Sequence, residues 1–136
     1  MRVQARRHAR IAIGAAAAIC VLVCAGGERS HAAGDAGKGE HAFTRQCAIC
    51  HTVDRGGPNR FGPNLFGVLH RKAGTVAGFD YSRAFKATAT WDWNEDLVAG
   101  WIAAPGQMVP GTAMGIFQGV AQIDRDDIVA YLATRQ

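Results

Sequence analysis

The chain has 136 residues, 49% hydrophobic and 19% charged, a composition that excludes a disordered or fibrous protein and leaves room for one globular domain. A formal charge of +4 would ordinarily raise nucleic acid or an acidic membrane surface as a partner. The excess sits at one end, however: Arg2, Arg6, Arg7, Arg10 and Arg29 belong to an apolar leader, and the chain beyond it balances ten Lys+Arg against ten Asp+Glu.

That leader reads as a secretory signal. Arginines come first, Ile11 to Val23 forms the apolar run, and Ser30-His31-Ala32 puts small residues at the two positions a signal peptidase reads. Cleavage after Ala32 leaves a mature chain of 104 residues with a protein charge of zero. The alternative is a retained membrane anchor, but Ile11 to Gly27 is only 17 residues, rich in Ala and Gly and barely long enough to span. Cys20 and Cys24 follow Ile19 and Val23, not the small residue that lipid modification requires, and read as apolar filler. The residues around Arg6-Arg7 do not match a twin-arginine signal, which points to export in the unfolded state.

Beyond the leader, Asp35 is placed to cap a helix in which Ala42, Phe43 and Cys47 recur at helical spacing. The helix is expected to end near Cys47-Ala48-Ile49-Cys50-His51, the pattern for covalent attachment of c-type haem. Two thiols at this spacing can add to the two vinyl groups on one edge of a porphyrin, and the next residue carries His51 to the iron. The competing readings are a disulfide or half a zinc site. Zinc would need two further ligands, yet no other cysteine survives beyond the leader, and His41 and His70 lack zinc-like spacing. A thioredoxin-type redox pair would need a βαβ context, which is absent.

From Thr52 to Gly78 the chain holds six Gly with Pro58 and Pro63 and keeps no period, so it reads as one long ordered loop. A loop of that length calls for a large bound group to organise it. Short helices are expected at Ser82 to Thr88 and Asn94 to Ala103, the second with Leu97, Val98, Trp101 and Ile102 on one face and Glu95 and Asp96 in its first turn. Ala104 to Gly119, with Pro105, Pro110 and four glycines, is again loop-like. In the last helix Asp124 is expected as the cap, Asp126 and Asp127 in the first turn, and Ile128, Tyr131 and Leu132 as the apolar stripe. No run alternates as a strand, so the class is small all-α: short helices and long loops around one covalently bound haem.

An electron carrier needs six-coordinate iron in both oxidation states, and Met108 and Met114 are the methionines left beyond the leader. The helix-breaking stretch Pro110-Gly111-Thr112-Ala113-Met114-Gly115 can present a side chain end-on to a metal, whereas Met108 lies between apolar neighbours in a predicted last helical turn. Met114 is therefore the expected ligand opposite His51. A soft, neutral thioether favours iron(II) and raises the potential.

From Gly34 to Leu132 the chain resembles the class I cytochromes c, the mitochondrial and bacterial periplasmic carriers. The resemblance is carried by Gly34-Asp35, Gly39 with Phe43, Cys47 to His51, Gly62-Pro63-Asn64-Leu65, Gly67, Arg71-Lys72-Ala73-Gly74, Gly78-Phe79-Asp80-Tyr81, Trp93, Pro105, Pro110 to Met114 and Ile128 to Leu132. It implies that the Pro63 carbonyl accepts a hydrogen bond from His51, that Tyr81, Trp93 and Thr112 bond the haem propionates with Arg71 nearby, and that Gly39 lets the first helix cross the last closely. Three departures stand out. Trp101 replaces a tyrosine that normally approaches the methionine sulfur and Phe85 a small polar residue, which puts a hydrogen-bond network in the pocket in question. Single insertions fall between Tyr81 and Trp93 and after Met114, leaving Ile116 or Phe117 over the haem edge. Gly106, Gln107 and Ala113 stand where the mitochondrial proteins have docking lysines.

The expected function is a soluble, monomeric, periplasmic one-electron carrier. It would work between redox proteins such as a membrane cytochrome complex as donor and a terminal oxidase, reductase or reaction centre as acceptor, without nucleic acid. A haem enzyme with an open iron position would be expected to supply a distal proton donor, where this sequence supplies a thioether. A dedicated electron-entry module of one enzyme complex has the same sequence signature as the free carrier.

Overall fold

The computed structural model describes residues 34–136; the leader, with its expected cleavage after Ala32 and the alternative anchor, lies outside the described residues. The elements in chain order are α1 (Ala36–Gln46), α2 (Arg83–Thr88), α3 (Glu95–Ala103), α4 (Pro105–Met108), a 3-10 turn (Ala113–Ile116) and α5 (Gln122–Ala133). Among the described residues β pairing is confined to one isolated bridge, Lys72 with Asp92, so the chain is all-α as expected. None of the described helices is long and apolar enough to cross a membrane.

The frame of the fold is the crossing of α1 and α5. Asp35 starts α1 as predicted, its carboxylate accepting from the Lys38 N–H at 3.1 Å, a bond that holds this carboxyl below the usual carboxylate range. Gly39 is what lets the helices touch: a Cβ there would lie 1.9 Å from the Asp127 carbonyl oxygen and 2.8 Å from Tyr131 Cβ. Beside it Phe43 packs on Tyr131 with ring centroids 5.5 Å apart, and Ile128 and Leu132 are fully buried.

The start of α5 differs from the sequence expectation. The helix begins at Gln122 after Ala121, which contributes no side-chain cap, and Asp124 lies inside the first turn. Asp124, expected as the cap, and Asp127, expected in the first turn, instead tie α5 to α1. Asp124 accepts from Gln46 Nε2 at 2.7 Å, and Asp127 accepts from the Asp35 backbone N–H at 2.7 Å. Asp124 still favours the positive end of the helix dipole, so the helix keeps its electrostatic start without a side-chain cap.

Between α1 and α2 the chain runs from 47 to 82 without helix or strand, as expected, and part of its order is internal. Asn64 is the hub. Its backbone N–H donates to Asn59 Oδ1 at 2.9 Å, its side-chain amide donates to Thr52 Oγ1 at 2.6 Å and to the Asp54 carbonyl at 3.0 Å, and its Oδ1 accepts from the Phe66 N–H at 2.8 Å. The idea that only a bound group could organise this loop therefore needs amending: side-chain amides substitute for the missing ladder on its outer side, and its inner side faces a cavity. Ser82 and Asn94 cap α2 and α3. The segment from Ala104 to Gly119, expected to be irregular, contains α4 and the 3-10 turn, because Pro105 at the first helical position suits the fixed φ of proline.

Candidate functional site

The inner faces of these elements enclose one cavity of about 380 Å³, within the ~300–1,000 Å³ usual for cofactor sites. The residues expected to hold the haem and its iron all line it: Cys47, Cys50, His51, Pro63, Arg71, Tyr81, Trp93, Thr112 and Met114. Met108 does not; it packs against the core from α4.

The attachment motif leaves α1 as a turn, with the N–H groups of Cys50 and His51 both donating to the Cys47 carbonyl at 3.0 Å. That turn brings two free thiols and an imidazole to the same wall. Burial, reinforced by the neighbouring Cys50, pushes the Cys47 thiol up to about 12. His51 Nδ1 lies 2.8 Å from the Pro63 carbonyl, which can only accept, so the proton is on Nδ1 and Nε2 keeps its lone pair. Burial lowers the His51 pKa against the opposing pull of the Pro63 carbonyl, so the ring is held neutral, the form that binds a metal. Gly62 completes the cradle: a Cβ there would lie 2.2 Å from His51 Cε1.

Met114 is carried by the 3-10 turn, half-buried against the core, and its sulfur accepts a hydrogen bond from the Trp101 indole at 3.0 Å. The sequence departure at Trp101 does not remove the network at the methionine, because an indole N–H reaches the sulfur. Phe85 is buried at the centre of an aromatic floor, stacked on Tyr81 at 5.2 Å and edge-on to Trp101 at 5.2 Å. It fills with aromatic surface what a polar side chain would have filled with hydrogen bonds.

The residues expected at the propionates occupy a polar corner. Arg71 donates to the Phe66 carbonyl at 2.8 Å and to the Asn64 carbonyl at 3.0 Å, so in these contacts its charge is met by dipoles rather than a carboxylate. Tyr81 Oη accepts from the Val76 N–H at 3.3 Å, which leaves its own proton free to donate. Trp93 is held by its backbone, its N–H donating to the Arg71 carbonyl at 2.9 Å and its carbonyl accepting from the His70 N–H at 2.6 Å.

The donor set fits haem c: paired thiols, an oriented imidazole and a thioether around an apolar cavity with a cationic corner. It does not fit zinc, since among the described residues no group of three or more His, Cys, Asp or Glu is placed to hold a metal ion. The sequence reading missed Phe61, which lines the cavity mouth while 86% exposed. An aromatic directly before Gly62-Pro63 in a polar, glycine-rich stretch was the available signal.

A family model described as cytochrome c matches residues 36–136. The chain is similar to the cytochrome c of Gossypium barbadense, 43% identical over 100 residues that cover 73% of this chain and 88% of the relative. It is similar also to that of Gibberella zeae, 41% identical over 102 residues covering 74% and 94% of the two chains, and to that of Ulva intestinalis, 40% identical over 100 residues covering 73% and 88%. The relatives are electron carriers rather than enzymes. The chain belongs to the cytochrome c family, haem-based electron carriers with one haem c bound covalently through cysteines.

Proposed function

We propose that the chain is an exported, periplasmic one-electron carrier whose iron ligands are His51 and Met114. The observation that carries this reading is the pairing of preset donors on one cavity: His51 with its Nδ1 proton committed to Pro63, and Met114 with its sulfur anchored by Trp101. When bound, haem supplies an iron that alternates between two oxidation states. The protein keeps both ligand side chains in place through the change, so little has to move when the electron arrives. Cys47 and Cys50 hold the porphyrin edge. Arg71, Tyr81, Trp93 and Thr112 take the propionates.

Its partners are a donor such as a membrane cytochrome complex and an acceptor such as an oxidase, reductase or reaction centre. They dock where the haem edge would meet solvent. Phe61 and Ile116 stand at that mouth, 86% and 87% exposed, and Ile49 between the cysteines is 75% exposed. Ala104 to Gly119 carries no charge. Nearby, Arg55 lies over the Phe66 ring at 4.4 Å and Arg60 donates to the Ala48 carbonyl at 2.5 Å, so both are engaged with the protein's own surface.

The test is a pair of methionine variants. Met114→Ala should abolish the thioether-to-iron(III) charge-transfer band, lower the potential and admit small ligands, while Met108→Leu should leave the band in place. The reverse pattern would transfer the ligand role to Met108, and loss in neither would overturn methionine ligation.

A further inference from the structure

The chain has three tryptophans, and they touch in one string. Trp101 and Trp93 are buried on the cavity wall with ring centroids 5.8 Å apart. Trp91 is not among the residues lining the cavity; it lies 5.5 Å beyond Trp93 and is only partly buried. Both contacts are edge-on, at the separation of rings in direct contact. Backbone bonds fix the outer end, where the Trp91 carbonyl accepts from the Ala73 N–H at 2.9 Å and the Trp93 N–H donates to the Arg71 carbonyl.

Packing alone does not call for an indole at position 91. Its buried Nε1 has no hydrogen-bond partner among the described residues, a cost that a phenylalanine in the same place would not carry. What an indole adds is ease of one-electron oxidation, and a chain of touching indoles can pass an electron from ring to ring. We propose that Trp101, Trp93 and Trp91 form a path that carries an oxidising equivalent, left in the haem cavity by hydrogen peroxide, out to the protein surface. The proposal rests on haem occupying the cavity and not on which methionine ligates it.

Hydrogen peroxide takes up two electrons and two protons and leaves as two waters. Each electron withdrawn from the cavity is replaced by one from Trp101, which is refilled from Trp93, and that in turn from Trp91. The Trp101 N–H points at a thioether, far too weak a base to take its proton, so the oxidised ring stays a cation ready to accept the next electron. A positive charge is unfavourable among buried apolar rings and better solvated at a partly exposed one, which gives the string its outward direction. The branch from Trp101 toward Tyr81 passes through Phe85, 5.2 Å from each ring, and a phenyl ring is too hard to oxidise to relay the charge. At Trp91 two electrons lost in succession, with one water added and two protons released, leave a hydroxytryptophan. The sum is one peroxide and one indole giving one hydroxyindole and one water. A one-electron donor in solution, such as ascorbate, refills Trp91 instead and returns it unchanged.

The test treats holoprotein with hydrogen peroxide, maps the added oxygen by peptide mass spectrometry and follows haem absorbance alongside. Wild type should take oxygen at Trp91 ahead of Trp93 and Trp101, and ascorbate should suppress it. Cyanide, which occupies the iron, should abolish it; oxygen at Trp91 that persists in cyanide is direct attack from solvent and overturns the proposal. Trp91→Phe ends the string one ring short, so oxygen should shift to Trp93 and Trp101 and haem absorbance should be lost faster than in wild type. Unchanged bleaching in that variant overturns the path, as does wild-type haem bleached with Trp91 intact and the oxygen on Tyr81. Should Trp91→Phe fail to fold, the wild-type map with and without cyanide decides. The thioether charge-transfer band is read before peroxide is added, so failure of the ligand assignment and failure of the path are seen separately.

Discussion

The close crossing of α1 and α5 gives the sharpest stability test. In Gly39→Ala the new Cβ would start 1.9 Å from the Asp127 carbonyl oxygen and 2.5 Å from its carbon. Both are backbone atoms, so no rotamer change relieves the overlap, and ordinary contact at ~3.5–4 Å requires the helices to part by more than an ångström. A gap of ~0.5–1 Å already forfeits a quarter to a half of the dispersion energy across a contact. Phe43, Ile128 and Leu132 stabilise this crossing by ~1.5–3 kcal/mol each, so the packing loss is about 1–4 kcal/mol. Strain on the two helix-to-helix hydrogen bonds at Asp127 and Asp124 adds about 1 kcal/mol, and the better helix propensity of Ala returns about 1 kcal/mol. The expected net destabilisation is about 1–4 kcal/mol, read as a lower denaturant midpoint at unchanged slope, with far-UV circular dichroism following α-helix loss. Gly100→Ala is the matched control, because Gly100 lies in α3 and a Cβ there would meet nothing within 4 Å, so the substitution should stabilise by ~0.5–1 kcal/mol. Two shifts of the same sign, or no loss in Gly39→Ala, would refute the close-contact argument.

At the site, Gly62→Ala should displace the His51 ring, since its Cβ would lie 2.2 Å from Cε1, and the holoprotein should lose its six-coordinate absorption spectrum; an unaltered spectrum would show that the cradle tolerates the methyl group. Intact mass should give a chain beginning at Ala33 with one haem that acid-acetone does not extract, and Cys47→Ala with Cys50→Ala should abolish holoprotein. Docking through an uncharged rim should leave the bimolecular rate with a redox partner changed by less than about tenfold between low and physiological salt. Ile116→Ser should slow that reaction more than joint replacement of Arg55, Arg60 and Lys72, and the opposite ranking would restore a charge-guided interface.

The chemistry of this protein was legible in short local patterns. Cys47 to His51 holds the haem-attachment pattern within one turn, and Asp35, Ser82 and Asn94 announce helix starts through hydrogen bonds that span only three residues. Gly, Pro and the absence of periodicity marked the long loop, because breakers act on their own backbone. That Met114 rather than Met108 faces the cavity was also readable, since Pro110 and Gly111 impose an irregular stretch whatever surrounds it.

What the tertiary structure decided lies where two distant segments compete for the same group. Asp124 and Asp127 had the local credentials to start α5, but their oxygens are taken by Gln46 and by the Asp35 backbone across the helix crossing, and a helix-start rule cannot see α1. Trp101 looked from the sequence like the loss of a hydrogen bond, because the pattern was judged by side-chain type. Only the packing of Phe85 and Trp93 against its ring shows that the indole N–H is aimed at the Met114 sulfur. A side chain's kind is local information; the direction in which it points, and therefore the atom it meets, is set by the neighbours that confine it.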